Sequence, residues 1–304
     1  MGFVLEDQES SKPHVEGFIV NELARLGSNF RKNIDLEEYL IQHDIPGIQG
    51  IDTRNLTKII RNIGCMNGMI TTTKYENLDE VMKRIHAFKV TGVVEQTTCK
   101  ESYTIGTGDK RVALLDYGAK ANIAKSLVKR GCQVTVYPAS TPASVILKEK
   151  YDGIMLSNGP GDPEENVQII EEIKLLASSQ TPIFAICLGH QLMALAHGFK
   201  TEKMKYGHHG ANHPVKDLET GRVYISTQNH NFVIKEDSID SAVAKPWFIN
   251  VNDKTIEGVT YLKENIKTVQ FHPEACAGPL DTDALFEEFY KDDGGKIECQ
   301  KIVE

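Results

Sequence analysis

From Arg111 onward the apolar residues fall into short runs separated by stretches of helical period. Val112–Leu115, Val134–Tyr137, Gly153–Leu156 and Pro182–Ile186 have the look of strands buried in a parallel sheet. Between them the spacing predicts crossover helices around 120–129, 142–149, 165–178 and 188–197. The fold class is therefore α/β, with a doubly wound, mostly parallel sheet. Such sheets bind ligands beyond the carboxyl ends of their strands. Three polar, glycine-bearing segments fall there: DYGAK (116–120), SNGPGDP (157–163) and CLGHQ (187–191). From Arg222 to Phe271 the runs VYISTQ and TVQF read as antiparallel strands, and a last helix is predicted around 282–290.

Residues 1–100 have a different texture, that of a smaller α+β unit. Asp35 is placed to cap a helix carrying Leu36, Tyr39 and Leu40. Asp52 or Thr53 is placed to cap another, with Leu56, Ile59, Ile60 and Ile63 at i, i+3, i+4, i+7 and Gly64 as its stop. One apolar stripe of that width predicts a helix lying on a packed surface. The segment ESYTIGTGDK (101–110) carries two glycines and no hydrophobic period, so it reads as a linker. The domains are accordingly 1–105 and 106–304, close to one per about 150 residues.

Composition narrows the partners. With 40% hydrophobic and 25% charged residues, the 304-residue chain has the make-up of a soluble globular protein. A net charge of −8 offers nothing for a phosphate backbone or an anionic membrane to bind, so neither nucleic acid nor membrane is expected. No run approaches the ~18 apolar residues of a spanning helix. The opening MGFVLEDQESSKPHVEG turns polar and acidic after four residues, unlike a secretory signal. Six scattered cysteines (65, 99, 132, 187, 276 and 299) with no C-x-x-C are the usage of a reducing compartment, so a cytoplasmic location is expected.

One of those cysteines has a special setting. AICLGHQ (185–191) follows an apolar strand and opens a helical pattern, so Cys187 occupies a strand–turn–helix elbow. A helix N-terminus favours a thiolate, and Gly189 permits close backbone approach. A thiolate nucleophile needs a base. In FHPE (271–274), His272 emerges at a strand end, and Glu274 points the same way if Pro273 keeps the segment extended. Cys187, His272 and Glu274 therefore form a candidate triad of nucleophile, base and orienting carboxylate. Taken alone, an H-P-E tripeptide more often marks an ordinary hydrogen-bonded histidine; the elbow cysteine in the same domain is what lifts it.

SNGPGDP fits neither common phosphate loop, because Glu164 stands where a dinucleotide loop has glycine and no Gly-Lys-Ser/Thr follows. Its two close glycines suit backbone N–H groups facing a small substrate or an oxyanion. GHHGANHP puts His208, His209 and His213 within six residues. With no cysteine or carboxylate beside them, and with Gly210 and Pro214 in the run, a structural loop without a metal is expected.

These motifs carry a resemblance. Residues 111–290 resemble class I glutamine amidotransferase domains of the Cys–His–Glu type. LSNGPGDP, ICLGHQLMALA, KTEKMKYGHHGANHPV, TQNHNF and QFHPEACAGPLDTDALF are similar to the glutamine-hydrolysing small chains of carbamoyl-phosphate synthases. So are SNFR (28–31), HDIPGIQGIDTRNLT (43–57) and GCMNGMI (64–70) in the first hundred residues. The likeness covers nearly the whole chain.

The resemblance implies glutamine hydrolysis through a cysteine thioester. The ammonia would pass to a large synthetase chain or fused domain making carbamoyl phosphate for pyrimidine or arginine biosynthesis. It assigns the triad to Cys187, His272 and Glu274. Gly159, Gly161 and Leu188 match positions that hold glutamine or the oxyanion, and Gln191, Asn229, Asn231 and Phe232 match further glutamine contacts. Ala185 and Asn231 stand where the family usually has glycine. The family's early strands, with a serine that contacts glutamine, find no counterpart, so the first domain is expected to be partial. No cofactor is expected in this chain, ATP and Mg belonging to the synthetase partner. The alternatives are the small chain of another class I amidotransferase and a non-catalytic binding subunit.

Overall fold

Along each predicted strand, successive residues go to opposite faces of one sheet. Ala113 and Leu115 join Ile154, Leu156, Ile183 and Ala185 in one buried cluster, while Val112 and Leu114 join Met155, Phe184 and Ile186 in a second. That period-2 division is what a sheet covered on both sides requires. The computed structural model describes residues 2–74, 77–276 and 278–289. The chain divides into two compact units. One runs to Thr91 and takes in Met204–Tyr206; the other takes Gly92–Lys203 and the chain from Gly207 onward.

Beyond Gly92 the strands are β1 (Tyr103–Ile105), β2 (Lys110–Asp116), β3 (Cys132–Pro138), β4 (Gly153–Leu156), β5 (Ile183–Ile186), β6 (Thr201–Asp217), β7 (Val223–Ile234), β8 (Ala244–Asn250), β9 (Ile256–Tyr261) and β10 (Ile266–Val269). The helices are α1 (Val93–Thr97), α2 (Ala121–Lys129), α3 (Ala143–Lys148), α4 (Val167–Ala177), α5 (Leu188–Ala196) and α6 (Leu285–Glu288). The sheet order is β7-β6-β8-β9-β10-β5-β4-β2-β3-β1. Its centre, β3-β2-β4-β5-β10, is parallel. Side chains of α2 and α6 cover one face of that centre, and those of α3, α4 and α5 cover the other. The doubly wound α/β arrangement is thus present, extended by an antiparallel ribbon of β6 to β9.

Several details depart from the sequence reading. The expected linker 101–110 contains β1, which pairs antiparallel with β3; Tyr103, Thr104 and Ile105 are good strand formers, and Thr104 Oγ1 meets Thr135 Oγ1 at 3.1 Å. GHHGANHP lies in β6 and not in a loop. Its glycines are absorbed by register shifts between Lys203 and His208 and between Gly210 and His213. The TVQF strand is antiparallel only toward β9; toward β5 it runs parallel, and it ends at Val269. The last helix is short, Leu285–Glu288, and position 290 lies outside the described residues.

In the first unit, Gly2–Phe3 pairs antiparallel with Ile34–Asp35, and Phe18–Ile19 pairs parallel with Gly47–Ile48. Asp52 caps helix Thr53–Ile63 by accepting from the Asn55 N–H at 2.9 Å. Asp35 does not cap helix Leu36–Gln42 with its side chain, because Lys32 Nζ occupies both carboxylate oxygens at 2.9–3.0 Å. The stripe on Thr53–Ile63 is not buried as expected: among the described residues Leu56 and Ile60 are half-buried, while Ile59 and Ile63 are exposed. No disulfide joins the five described cysteines, and Cys299 lies outside the described residues. No helix among the described residues is long and apolar enough to cross a membrane.

Phe184 of β5 is buried against the rings of Phe286 and Phe289, with centroids 6.4 and 6.1 Å away. Phe184→Ala leaves a cavity under the strand that carries the elbow. It is expected to cost about 3–5 kcal/mol, read as a fall in the urea midpoint of the second unit.

Candidate active site

β5 delivers the chain to Cys187, whose N–H donates to the Val269 carbonyl of β10 at 2.8 Å. Cys187 has φ +52° and ψ −103°, a region that non-glycine residues rarely occupy. Held there, it turns the chain from strand into α5. Gly189 makes the turn possible: its N–H donates to the Ser157 carbonyl at 3.0 Å, and a Cβ there would stand 2.6 Å from the Leu156 carbonyl oxygen. Cys187 is buried at the N-terminus of α5, where the first-turn N–H groups have no intrahelical acceptor.

His272 follows β10, and its N–H donates to the Thr227 carbonyl at 2.9 Å. Its Nδ1 lies 2.7 Å from Glu274 Oε1. The expected extended geometry is not what brings them together. His-Pro-Glu forms a turn, closed by the Ala275 N–H on the His272 carbonyl, and within it the carboxylate curls back to the ring. Both side chains are buried. His272 Nε2 has no hydrogen-bond partner of good geometry among the described residues, yet the ring is close enough to Cys187 for the sulfur to act on its charge. Catalytic contacts are often this loose before substrate binds.

Lys120 is the residue the sequence reading missed. Its Nζ is 3.3 Å from Glu274 Oε1 and 3.2 Å from His272 Nδ1. The ring N–H and the ammonium are both donors, so both point at the carboxylate, which accepts from each. Asn122 also donates to the Glu274 carbonyl. The signal lay in DYGAK at a strand end. Asp116 Oδ1 accepts from the N–H groups of Gly118 and Ala119 at 2.9 and 2.7 Å, and the turn so formed presents Lys120.

Burial alone would strip the proton from His272, but the charge of Glu274, and then that of Cys187, outweighs it and lifts the pKa to about 9. Burial would likewise raise Glu274; the charge and hydrogen bond of His272, with help from Lys120, instead lower it to about 2. The arrangement keeps an imidazolium between a carboxylate and a sulfur at neutral pH.

The remaining expected site residues form two groups. A Cβ on Gly159 would lie 2.2 Å from the Tyr117 carbonyl oxygen and 2.7 Å from Leu188 Cδ2, so the glycine turn closes directly onto the start of α5. Gly161 ends that turn against Val93. Gln191, on the same helix, donates through Nε2 to the Phe232 carbonyl at 2.8 Å and to Gln270 Oε1 at 2.9 Å. This bond ties β7 to the elbow helix. Asn229 and Asn231 share one face of β7, and His209 joins them, Nδ1 to Asn229 Oδ1 at 2.9 Å and Nε2 to Asn231 Oδ1 at 3.3 Å. A strained thiol, a buried histidine–carboxylate pair and backbone donors beside them form an apparatus for attack on a carbonyl carbon.

The chain has relatives among known proteins. Residues 113–292 match the class-I glutamine amidotransferase family, and residues 1–70 match the CPSase domain of the carbamoyl-phosphate synthase small chain. The carbamoyl phosphate synthase small chain of Clostridium perfringens is 45% identical over 290 residues, spanning 95% of this chain and 82% of that protein. The small chain of Listeria monocytogenes serotype 4b is 45% identical over 295 residues, spanning 96% and 80%. The solved structure of a GMP synthase protein from Thermoplasma acidophilum shares the fold at TM-score 0.53 and 20% identity, covering 60% of this chain and 92% of its own.

Because Glu274 is the leading influence that raises His272, Glu274→Gln is expected to bring the His272 titration midpoint down from about 9, as followed by NMR of the ring. The sign for stability follows. A raised pKa adds stability that is complete below the ordinary 6.5 and is lost as pH rises through about 9. Wild type should therefore weaken across that window more than Glu274→Gln does, measured by urea unfolding at each pH.

Proposed function

This chain belongs to the family of carbamoyl phosphate synthase small chains, and we propose that Cys187, His272 and Glu274 hydrolyse glutamine to glutamate and ammonia for a large synthetase partner. The observation that carries the assignment is the strained elbow at Cys187 in the same pocket of charge as the buried His272–Glu274 pair.

The Cys187 thiolate attacks the side-chain carboxamide carbon, and the carbonyl electrons move to oxygen. The first-turn N–H of Leu188 and the backbone of the Gly159–Gly161 turn receive that oxyanion; one such donor is worth about 10²–10³ in rate. The C–N bond breaks as the His272 imidazolium protonates the departing nitrogen, leaving a γ-glutamyl thioester. His272, now neutral, takes a proton from water, whose oxygen attacks the thioester and releases glutamate and the thiolate. Glu274 acts through the ring, fixing its orientation and charge, and Lys120 acts on Glu274. Gln191, Asn229, Asn231 and Phe232 hold the amino acid, with Gln191 also fixing β7.

The ammonia then serves carbamoyl phosphate synthesis on the large chain, where ATP and Mg bind, and the product feeds pyrimidine or arginine biosynthesis in the cytoplasm. The match of residues 1–70 favours this reading over the small chain of another class I amidotransferase.

Cys187→Ala is expected to lower glutamate release by about 10⁴-fold or more with an unchanged circular dichroism spectrum. Near-normal release would remove Cys187 as nucleophile. A second test concerns coupling. Ammonia release should rise steeply when the large chain is added, since a misplacement of about 1 Å in the free site costs roughly 100-fold. Equal turnover with and without it would mark a free-standing glutaminase.

A further inference from the structure

The first histidine of GHHGANHP turns into a buried group that takes no chemical step in the proposed hydrolysis. His208 pairs with His230 across the β6–β7 ribbon, and their rings meet edge to face with centroids 5.0 Å apart. Glu257 of β9 completes the group. A nitrogen from each histidine and a carboxylate oxygen lie within 4.8 Å of one another, and all three residues are buried.

Each of the three is held from behind. His208 Nε2 donates to Asp253 Oδ2 at 2.8 Å, which leaves Nδ1 facing Glu257 Oε1 at 3.3 Å. His230 Nδ1 donates to the Phe232 carbonyl at 2.9 Å. That fixes the tautomer, so His230 Nε2 is a lone-pair acceptor, buried and without a hydrogen-bond partner among the described residues. Gln228 Nε2 and Asn250 Nδ2 donate to the two oxygens of Glu257 at 2.8 and 3.1 Å. Metal-bound histidines pass their other N–H to a carboxylate or a backbone carbonyl; His208 and His230 show one of each.

A proton on His208 answers part of this chemistry. Burial pulls its pKa down, but the hydrogen bonds and charges of Glu257 and Asp253 outweigh that and raise it. Protonation balances the carboxylates yet leaves the lone pair of His230 unmatched. A dication balances both carboxylates and accepts all three lone pairs.

We propose that His208 Nδ1, His230 Nε2 and Glu257 Oε1 form a zinc site, with a water as fourth ligand. Two imidazoles and one carboxylate with an open position are a donor set zinc takes. At bond lengths of about 2.0–2.2 Å the ligand atoms sit roughly 3.4 Å apart, so separations that are all within 4.8 Å close by no more than about 1.4 Å. The ion joins β6, β7 and β9 directly behind Asn229 and Asn231. The site stands on its own residues, so it holds or fails independently of the glutaminase reading.

The test uses the full chain, free of any histidine tag, stripped with chelator and then given Zn²⁺ or Co²⁺ before gel filtration. Elemental analysis should find about one zinc per chain, and Co²⁺ should give the visible absorption of a four-coordinate ion. His208→Asn and Glu257→Gln should abolish both signals, while His43→Asn, at an exposed position, should retain them. Asp253→Asn, which leaves every ligand in place, should weaken zinc by about 10–100-fold. If Glu257→Gln fails to fold by circular dichroism, wild type and Asp253→Asn decide the matter. Folded wild type that retains no zinc and gives no Co²⁺ spectrum overturns the proposal. So does zinc held as tightly by His208→Asn or Asp253→Asn as by wild type.

Discussion

The backbone of Cys187 is held in a conformation that costs about 1–3 kcal/mol, and the surrounding second unit is arranged to hold it there. The Val269 carbonyl takes its N–H, the Ser157 carbonyl takes the N–H of Gly189, and the β5 strand leading into it is paired parallel on both edges. Only with β4 and β10 already in place is the strained turn over-determined. The same two neighbours supply the rest of the site. β4 runs into the Gly159–Gly161 turn and β10 runs into His272, so the strands that hold the elbow also carry the groups around it. Packing and chemistry therefore share one constraint: Phe184 and Ile186 must stay buried for the sulfur to stay in place.

Charge at the site follows the same logic. A fully buried Glu274 would be expensive alone, and so would a buried imidazolium. Together, with Lys120 reaching the same carboxylate oxygen, each makes the other's charged form the cheaper one. Lys120 is about a quarter exposed, so its charge reaches the buried pair from the solvent side. That gives one positive charge in water a direct influence on the buried carboxylate that holds His272.

The parallel centre was legible because β2, β4 and β5 are so apolar that burial on both faces is their natural reading, and the elbow was legible because Cys187 sits between such a strand and a helical run. Other features needed three dimensions. Lys120 lies 152 positions from His272, and no local spacing connects them. GHHGANHP was read as a loop from Gly210 and Pro214, but a long partner strand takes up Gly210 beside a bulge and pairs Pro214 in register with Ile225, which only pairing reveals. The same omission hid Glu257, since a carboxylate 49 positions after His208 is a neighbour only once β9 is placed. Asp35 shows the opposite error: a correct capping residue whose side chain was claimed by Lys32 three positions earlier.

The alternation along β7 has a consequence for how this region can change over time. Asn229 and Asn231 face His209, while His230 between them faces the buried carboxylate of Glu257. Because side chains in a strand alternate, inserting or deleting one residue within 229–231 would exchange the two faces, driving carboxamides into the interior and turning the imidazole outward. Such a length change damages two environments in one step. The ribbon nevertheless contains places where length is already irregular, between Lys203 and His208 and between Gly210 and His213, both on the partner strand. Insertions and deletions among relatives should therefore collect at those bulges of β6, leaving β7 constant in length across the site.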